Sequence, residues 1–143
     1  MQAFRIRAAN WRSDRAKLRA VREAVFVVEQ GVPIDLEWDE FDHHSVHCLA
    51  LSQAGDPVGT GRLLPDGHIG RMAVLKSWRG QGVGSAILRW LMACARARGL
   101  TEVCLNAQEH ALDFYAQHGF VVEGKPFLDA GIPHRAMRCS LTK

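Results

Sequence analysis

Residues 79–84 read Arg-Gly-Gln-Gly-Val-Gly, with a strand-like pattern in front and an apolar helical pattern behind. Glycine at that density costs chain entropy, so something must come close to the backbone there. A helix N-terminus presents unpaired N–H groups and partial positive charge, which suits an anion, and glycines let phosphate oxygens reach those groups. The Walker spacing is absent, because no Lys-Ser or Lys-Thr follows. GxGxxG fails too: its third glycine would fall on Ser85 counting from Gly80, or on Ile87 counting from Gly82. The spacing that fits is Arg79-x-x-Gly82-x-Gly84.

Three other groups of residues could do chemistry. The stretch "DLEWDEFD" places Asp35, Glu37, Asp39, Glu40 and Asp42 among Leu36, Trp38 and Phe41 in a chain of net charge +3. Anions beside aromatic rings suit an ammonium group, so Asp35, Glu37, Trp38 and Asp39 are candidates to hold a cationic acceptor. Glu29 follows an apolar helix face, where partial burial would raise its pKa towards that of a base. His134 follows a proline turn and precedes a strand, and is a second candidate base. Asp42, His43, His44 and His47 lie close in sequence, but if His47 starts a strand the other two histidines need not face it, and no metal site is expected.

The elements that position these residues follow from periodicity. "AFRIRAA" alternates as a strand. Leu18, Val21, Val25 and Val28 mark a helix from Asp14 to Val28, with Ser13 or Asp14 as cap. Residues 31–45 form an acidic loop. "SVHCLALS", "VGTGRLL" and "HIGRMAVL" are three strands joined by turns at "QAGDP" and "PDG". Val83, Ile87, Leu88, Leu91, Met92 and Ala95 form one face of a helix that Gly99 ends. "TEVCLNA" is a strand, "EHALDFYAQHG" a short helix, and "FVVEG" and "HRAMRCSL" the last strands. The order is β-α-βββ-α-β-α-β-β, a single α/β domain over 1–143 with a mixed, mostly antiparallel sheet flanked by helices.

Composition narrows the function. No apolar run approaches the roughly 18 residues of a membrane helix, and the N-terminus lacks a signal peptide's apolar stretch. The four cysteines never form CxxC and sit in apolar stretches, as small hydrophobes of a reducing, cytoplasmic compartment. Arg12, Arg15, Lys17, Arg19 and Arg22 read as a solvated helix face, since Leu18 and Val21 take the inner one. Groove-reading partners for nucleic acid are not found.

Together, Arg79-Gly80-Gln81-Gly82-Val83-Gly84 and "QEHALDFYAQHGF" resemble the two signatures of the GNAT superfamily of acyl-CoA-dependent N-acyltransferases. The first is its pyrophosphate loop, [RQ]-x-x-G-x-[GA]. "AVFVVEQGVP", "EWDEFDHHSVH" and "LDAGIPHRAM" resemble the ElaA-like branch more closely. The resemblance covers essentially the whole chain in element order.

The resemblance implies acetyl-CoA as cosubstrate, with its pyrophosphate on the N–H groups of residues 79–84 and its pantetheine arm beside Met72, Ala73 and Val74. Arg79 either contributes charge or braces the loop. The family splays this strand from its neighbour, and an N–H near Met72 would polarise the thioester carbonyl. Tyr115, the only tyrosine, matches the acid that protonates the departing thiolate. Gln108 stands where many members carry Asn and would bond the pantetheine arm; Asn106 is a second candidate. Many members use a water chain in place of a dedicated base.

The expected reaction is acetyl transfer to a primary amine of a small molecule by direct attack in a ternary complex. The rivals are an acyl-CoA-binding regulatory domain without turnover, a protein lysine or N-terminal acetyltransferase, and a nucleotide-phosphate-binding module. The acceptor and the oligomeric state stay open, a homodimer among the possibilities.

Overall fold

The computed structural model describes residues 2–34 and 39–142. Asp35, Leu36, Glu37 and Trp38 lie outside them, and with them three of the four candidate acceptor residues.

Strand β1 (Phe4–Ala9) leads into helix α1 (Arg15–Arg22), which widens into a π-helical segment over Glu23–Glu29. A 3₁₀ turn at Glu40–His44 precedes the meander β2 (Val46–Ser52), β3 (Pro57–Leu63) and β4 (Ile69–Val74). Then come a 3₁₀ turn (Lys76–Trp78), helix α2 (Val83–Ala97), strand β5 (Glu102–Gln108), helix α3 (Leu112–Ala116), and the hairpin β6 (Val121–Asp129) and β7 (Ile132–Ser140). The expected order is met.

The strands form two antiparallel sheets, β1-β2-β3-β4 and β5-β7-β6. β4 and β5 lie side by side but meet only through a parallel bridge, His68 to Cys104, with the Cys104 N–H donating to the Gly67 carbonyl at 3.1 Å. Beyond that point the sheets part, and among the described residues no further strand pairing joins them.

Helices cover both faces of the first sheet, so β2 is buried nearly throughout. Its alternate residues divide between them. Cys48 and Ala50 join the core with Ile87, Leu88 and Leu91 of α2, whereas Leu49 and Leu51 pack on Leu18 of α1. Gly59 and Gly61 in β3 let α2 approach closely; a Cβ on Gly61 would stand 2.8 Å from Ile87. The α2 core continues through Val103, Leu105 and Met137 of the second sheet.

Four expectations are corrected. The first helix does not run evenly to Val28. Gln30 N–H bonds back five residues to the Val25 carbonyl at 3.0 Å, which inserts an extra residue into the turn. Val28 is consequently 81% exposed, while Val25 stays in the core. Asp14 is the N-cap residue of α1, and its carbonyl accepts the Leu18 N–H, but its side chain makes no cap bond, because Arg7 and the Asn10 N–H take its carboxylate. Arg22 does not face water: it is 1% exposed and paired with Asp42. Finally, Pro133 belongs to β7 opposite Leu128, and the turn falls on Ala130 and Gly131.

Candidate active site

A cavity of about 1190 Å³ opens where β4 and β5 part. It is lined by the end of the π-helical segment, by β4, by the start of α2, by β5 and α3, and by the tip of the β6–β7 hairpin.

One end of the cavity is built by the glycine segment. Gly80 and Gly82 take left-handed φ of +75° and +86°, with nothing within 4 Å of where a Cβ would stand. Gly82 precedes the first turn of α2, whose leading N–H groups lack intrahelical partners. Gly84 differs: its φ is not left-handed, and a Cβ there would meet the Phe114 ring of α3 at 3.4 Å, an ordinary contact distance. Val83 turns its side chain into the core, and Gln81 turns its own away to bond the Ser77 carbonyl and the Gln2 N–H. Val83 lines the cavity, whereas Gln81, a candidate cofactor-binding residue, is not part of its lining.

Arg79 braces. Its Nε donates to the Val74 carbonyl at 3.0 Å, and its two terminal nitrogens clamp the Glu29 carboxylate at 2.6 and 2.7 Å. The expected rise in the Glu29 pKa is therefore overturned. The Arg79 hydrogen bonds dominate the small effect of burial and hold the carboxyl below its ordinary value.

The middle of the cavity is shaped by a bulge in β4. Thr60 pairs with Ala73 and Arg62 with Gly70, so two residues of β4, Arg71 and Met72, oppose the single Gly61. Arg71 takes φ +48°, a left-handed value rare outside glycine. Bulges of this kind break the ladder and re-aim backbone groups, here at Met72. The Tyr115 hydroxyl reaches the Met72 sulfur at 3.8 Å. Phe114 and Phe120 hold the Tyr115 ring edge-on, at centroid distances of 5.0 and 5.9 Å. Burial pushes the phenol up to about 12, so it carries its proton throughout the neutral range.

On the β5 side, Gln108 does not stand alone. Its Nε2 donates to Gln30 Oε1 at 3.0 Å, its own Oε1 lies 2.6 Å from His110 Nε2, and Gln30 Nε2 returns a longer contact at 3.4 Å. Asn106 is exposed and also faces the cavity.

The far end bears on the acidic-loop reading at Asp39, the one acceptor candidate among the described residues. Asp39 lines the cavity, yet Arg62 holds its carboxylate at 2.7 and 2.9 Å and Arg71 holds it at 3.1 Å. Desolvation would raise its pKa, but these guanidiniums prevail and lower it. Asp42 is fully buried between Arg22 and Arg62, each at 2.9 Å, and its carboxylate also accepts from the Asp39 N–H. His47 bonds the Asp42 carbonyl, and burial keeps its ring neutral. Asp39 and Asp42 therefore serve an internal charge network. No sequence signal marked it, since its members come from four separate elements. Among the described residues no cluster of His, Cys, Asp and Glu could hold a metal.

His134 is buried on β7 and stacks on Phe127. It bonds the Ile132 carbonyl through Nδ1 at 2.7 Å. A carbonyl only accepts, so Nδ1 carries a proton, and in that tautomer the lone pair lies on Nε2. No cysteine lines the cavity.

Two splayed antiparallel sheets, a bulged strand beside the split and a glycine-led helix N-terminus define a class of acyl-CoA-dependent transferases. The comparisons agree. A family profile described as "Acetyltransferase (GNAT) domain" matches residues 15–141. The uncharacterised N-acetyltransferase YjcF of Bacillus subtilis (strain 168) is 46% identical over 121 residues, covering 82% of this chain and 86% of that protein. An acyl-CoA N-acyltransferase from Pseudomonas aeruginosa superposes with TM-score 0.81 at 31% identity, over 97% of this chain and 99% of that one. Escherichia coli ElaA superposes with TM-score 0.81 at 29% identity, over the same shares. The chain belongs to the GNAT acetyltransferase family and is an acyl-CoA-dependent N-acyltransferase by that membership.

Proposed function

We propose that this protein moves an acetyl group from acetyl-CoA to the primary amine of a small molecule, by direct attack within a ternary complex. The observation that carries this reading is the presence, in one cavity, of an open helix N-terminus at Gly82 and a protonated phenol at Tyr115 beside the β4 bulge.

The residues divide the work as follows. N–H groups at residues 80–85 receive the pyrophosphate of the cosubstrate. The edge of β4 that faces β5, through Met72, Ala73 and Val74, takes the pantetheine arm as an added strand, beside the Val74 carbonyl that already accepts from Arg79. The N–H re-aimed near Met72 stabilises the oxyanion formed when the amine attacks the thioester carbon. As the tetrahedral intermediate collapses, the C–S bond breaks and Tyr115 gives its proton to the departing sulfur. The proton lost by the amine passes to water or to Nε2 of His134. Glu29 is not assigned this task, because its ion pair with Arg79 makes it a weak base. Direct attack is favoured over an acyl-enzyme because no thiol lines the cavity. The four free cysteines fit a reducing, cytoplasmic setting.

Incubation with acetyl-CoA and a panel of amino acids, amino sugars, polyamines and lysine peptides tests the reading, with thiol release and product mass as readouts. Acetylation of a free small amine supports it. Acetylation confined to the peptides would move the acceptor to proteins, and thiol release with no amine would leave the site a binding module.

A further inference from the structure

The π-helical segment places two consecutive side chains on opposite banks of the cleft. Glu29 reaches the β4 bank at Arg79, and Gln30 reaches the β5 bank at Gln108. Gln30 and Gln108 lie 78 positions apart in sequence, and their amides form a hydrogen-bonded link between the end of the π-helical segment and β5.

From this geometry we propose that Gln30 is a cofactor-binding residue, pairing with Gln108 to grip a secondary amide of the pantetheine arm; the proposal rests on the reading of the cleft as the coenzyme A site. His110 Nε2 lies 2.6 Å from Gln108 Oε1. A donating Nε2–H there leaves the Gln108 NH₂ pointing at Gln30 Oε1, a donor facing an acceptor across the cleft. A secondary amide has one carbonyl and one N–H. Inserted between the two side chains, its carbonyl takes the Gln108 proton donor and its N–H takes Gln30 Oε1. The interglutamine contacts at 3.0 and 3.4 Å are exchanged for two amide bonds, while Gln108 Oε1 keeps its contact with His110. The neighbouring pair, Glu29 with Arg79, holds Gln30 at this height over the cleft.

Calorimetry with two probes tests the proposal: coenzyme A, and 3′-phosphoadenosine 5′-diphosphate, which keeps the pyrophosphate and lacks the arm. The variants are Gln30→Leu and the conservative Gln30→Asn, with melting curves as a control on folding. Gln30→Leu is expected to bind coenzyme A roughly tenfold more weakly, the scale of one net hydrogen bond, and the armless probe like wild type. Gln30→Asn is expected to fall between, again only for coenzyme A, and decides the matter if the leucine variant does not fold. Wild-type affinity for coenzyme A in both variants would overturn the proposal. An equal loss for both probes would also overturn it, since Gln30 would then act through the loop and not the arm. If the wild-type protein bound neither probe, the reading of the cleft itself would fail first.

Discussion

The guanidinium of Arg79 and the carboxylate of Glu29 meet in a two-pronged ion pair at 2.6 and 2.7 Å, fifty residues apart in sequence. This pair ties the loop before α2 to the segment that follows α1. Both side chains are more than a third exposed, so solvent screens the pair and its worth to stability is about 0.2–1 kcal/mol. Its consequence is chemical: it keeps Glu29 ionised and occupied.

The first prediction follows from that direction. The Glu29 pKa lies below its ordinary value, so the carboxylate is charged at every pH above that value and does not titrate in the neutral range. Glu29→Gln should leave the acid limb of the kcat/KM profile in place and shift coenzyme A affinity only a few-fold. Loss of the acid limb in the variant would reinstate Glu29 as the base.

The buried network makes a stability prediction. Asp42→Asn removes a fully buried carboxylate from between Arg22 and Arg62, and should cost about 3–5 kcal/mol in denaturant unfolding, the scale of breaking a buried ion pair. The folded pKa values of Asp39 and Asp42 are lowered. Their contribution is therefore complete above the unfolded value of about 4 and fades as pH falls through the lower folded values. The wild type should lose stability steeply below that point, and Asp42→Asn should show a shallower acid slope. Equal slopes would remove Asp42 from the network.

The glycines separate by role. At Gly82, valine would have to adopt a left-handed φ and place branched carbons over the open N–H groups, so Gly82→Val should lose coenzyme A binding at least tenfold. Gly84→Ala meets Phe114 at an ordinary contact distance, and should bind within a few-fold of wild type. Calorimetry on both folded variants decides; equal losses would assign the two glycines one shared function.

Much of this was legible in the chain. The element order followed from apolar period, and the glycine-led N-terminus of α2 from glycines placed between a strand and a helix. What periodicity could not show were departures from regular geometry. The π-helical turn exposes Val28 and swings Glu29 and Gln30 over the cleft, yet "AVFVVEQ" reads as plain helix because a single widened turn leaves the local pattern apolar. The β4 bulge is similarly hidden, since Arg71 gives no sign that its backbone will be left-handed. Asp39 and Asp42 were opaque for a related reason: their partners lie on α1, β3 and β4, and only tertiary structure brings Arg22, Arg62 and Arg71 to them.

Tyr115 carries its own pH signature. Burial pushes the phenol up to about 12, so the proton it donates is present through the alkaline range and is lost only near that value. With chemistry rate-limiting, kcat should hold its plateau past pH 10. An alkaline fall centred near 10, the value of an ordinary tyrosine, would show the phenol to be unshifted or the acid to be another group.

Acid catalysis by Tyr115 is the center of the account, and Tyr115→Phe tests it most directly, by removing one O–H and almost no volume. Single-turnover measurement of thiol release, on an amine found in the panel and at saturating acetyl-CoA, isolates the chemical step. A fall of roughly 10²–10⁴, the range for a positioned acid, with acceptor KM and coenzyme A affinity little changed, is the predicted result. A rate within about tenfold of wild type would contradict it and leave the thiolate to be protonated by water.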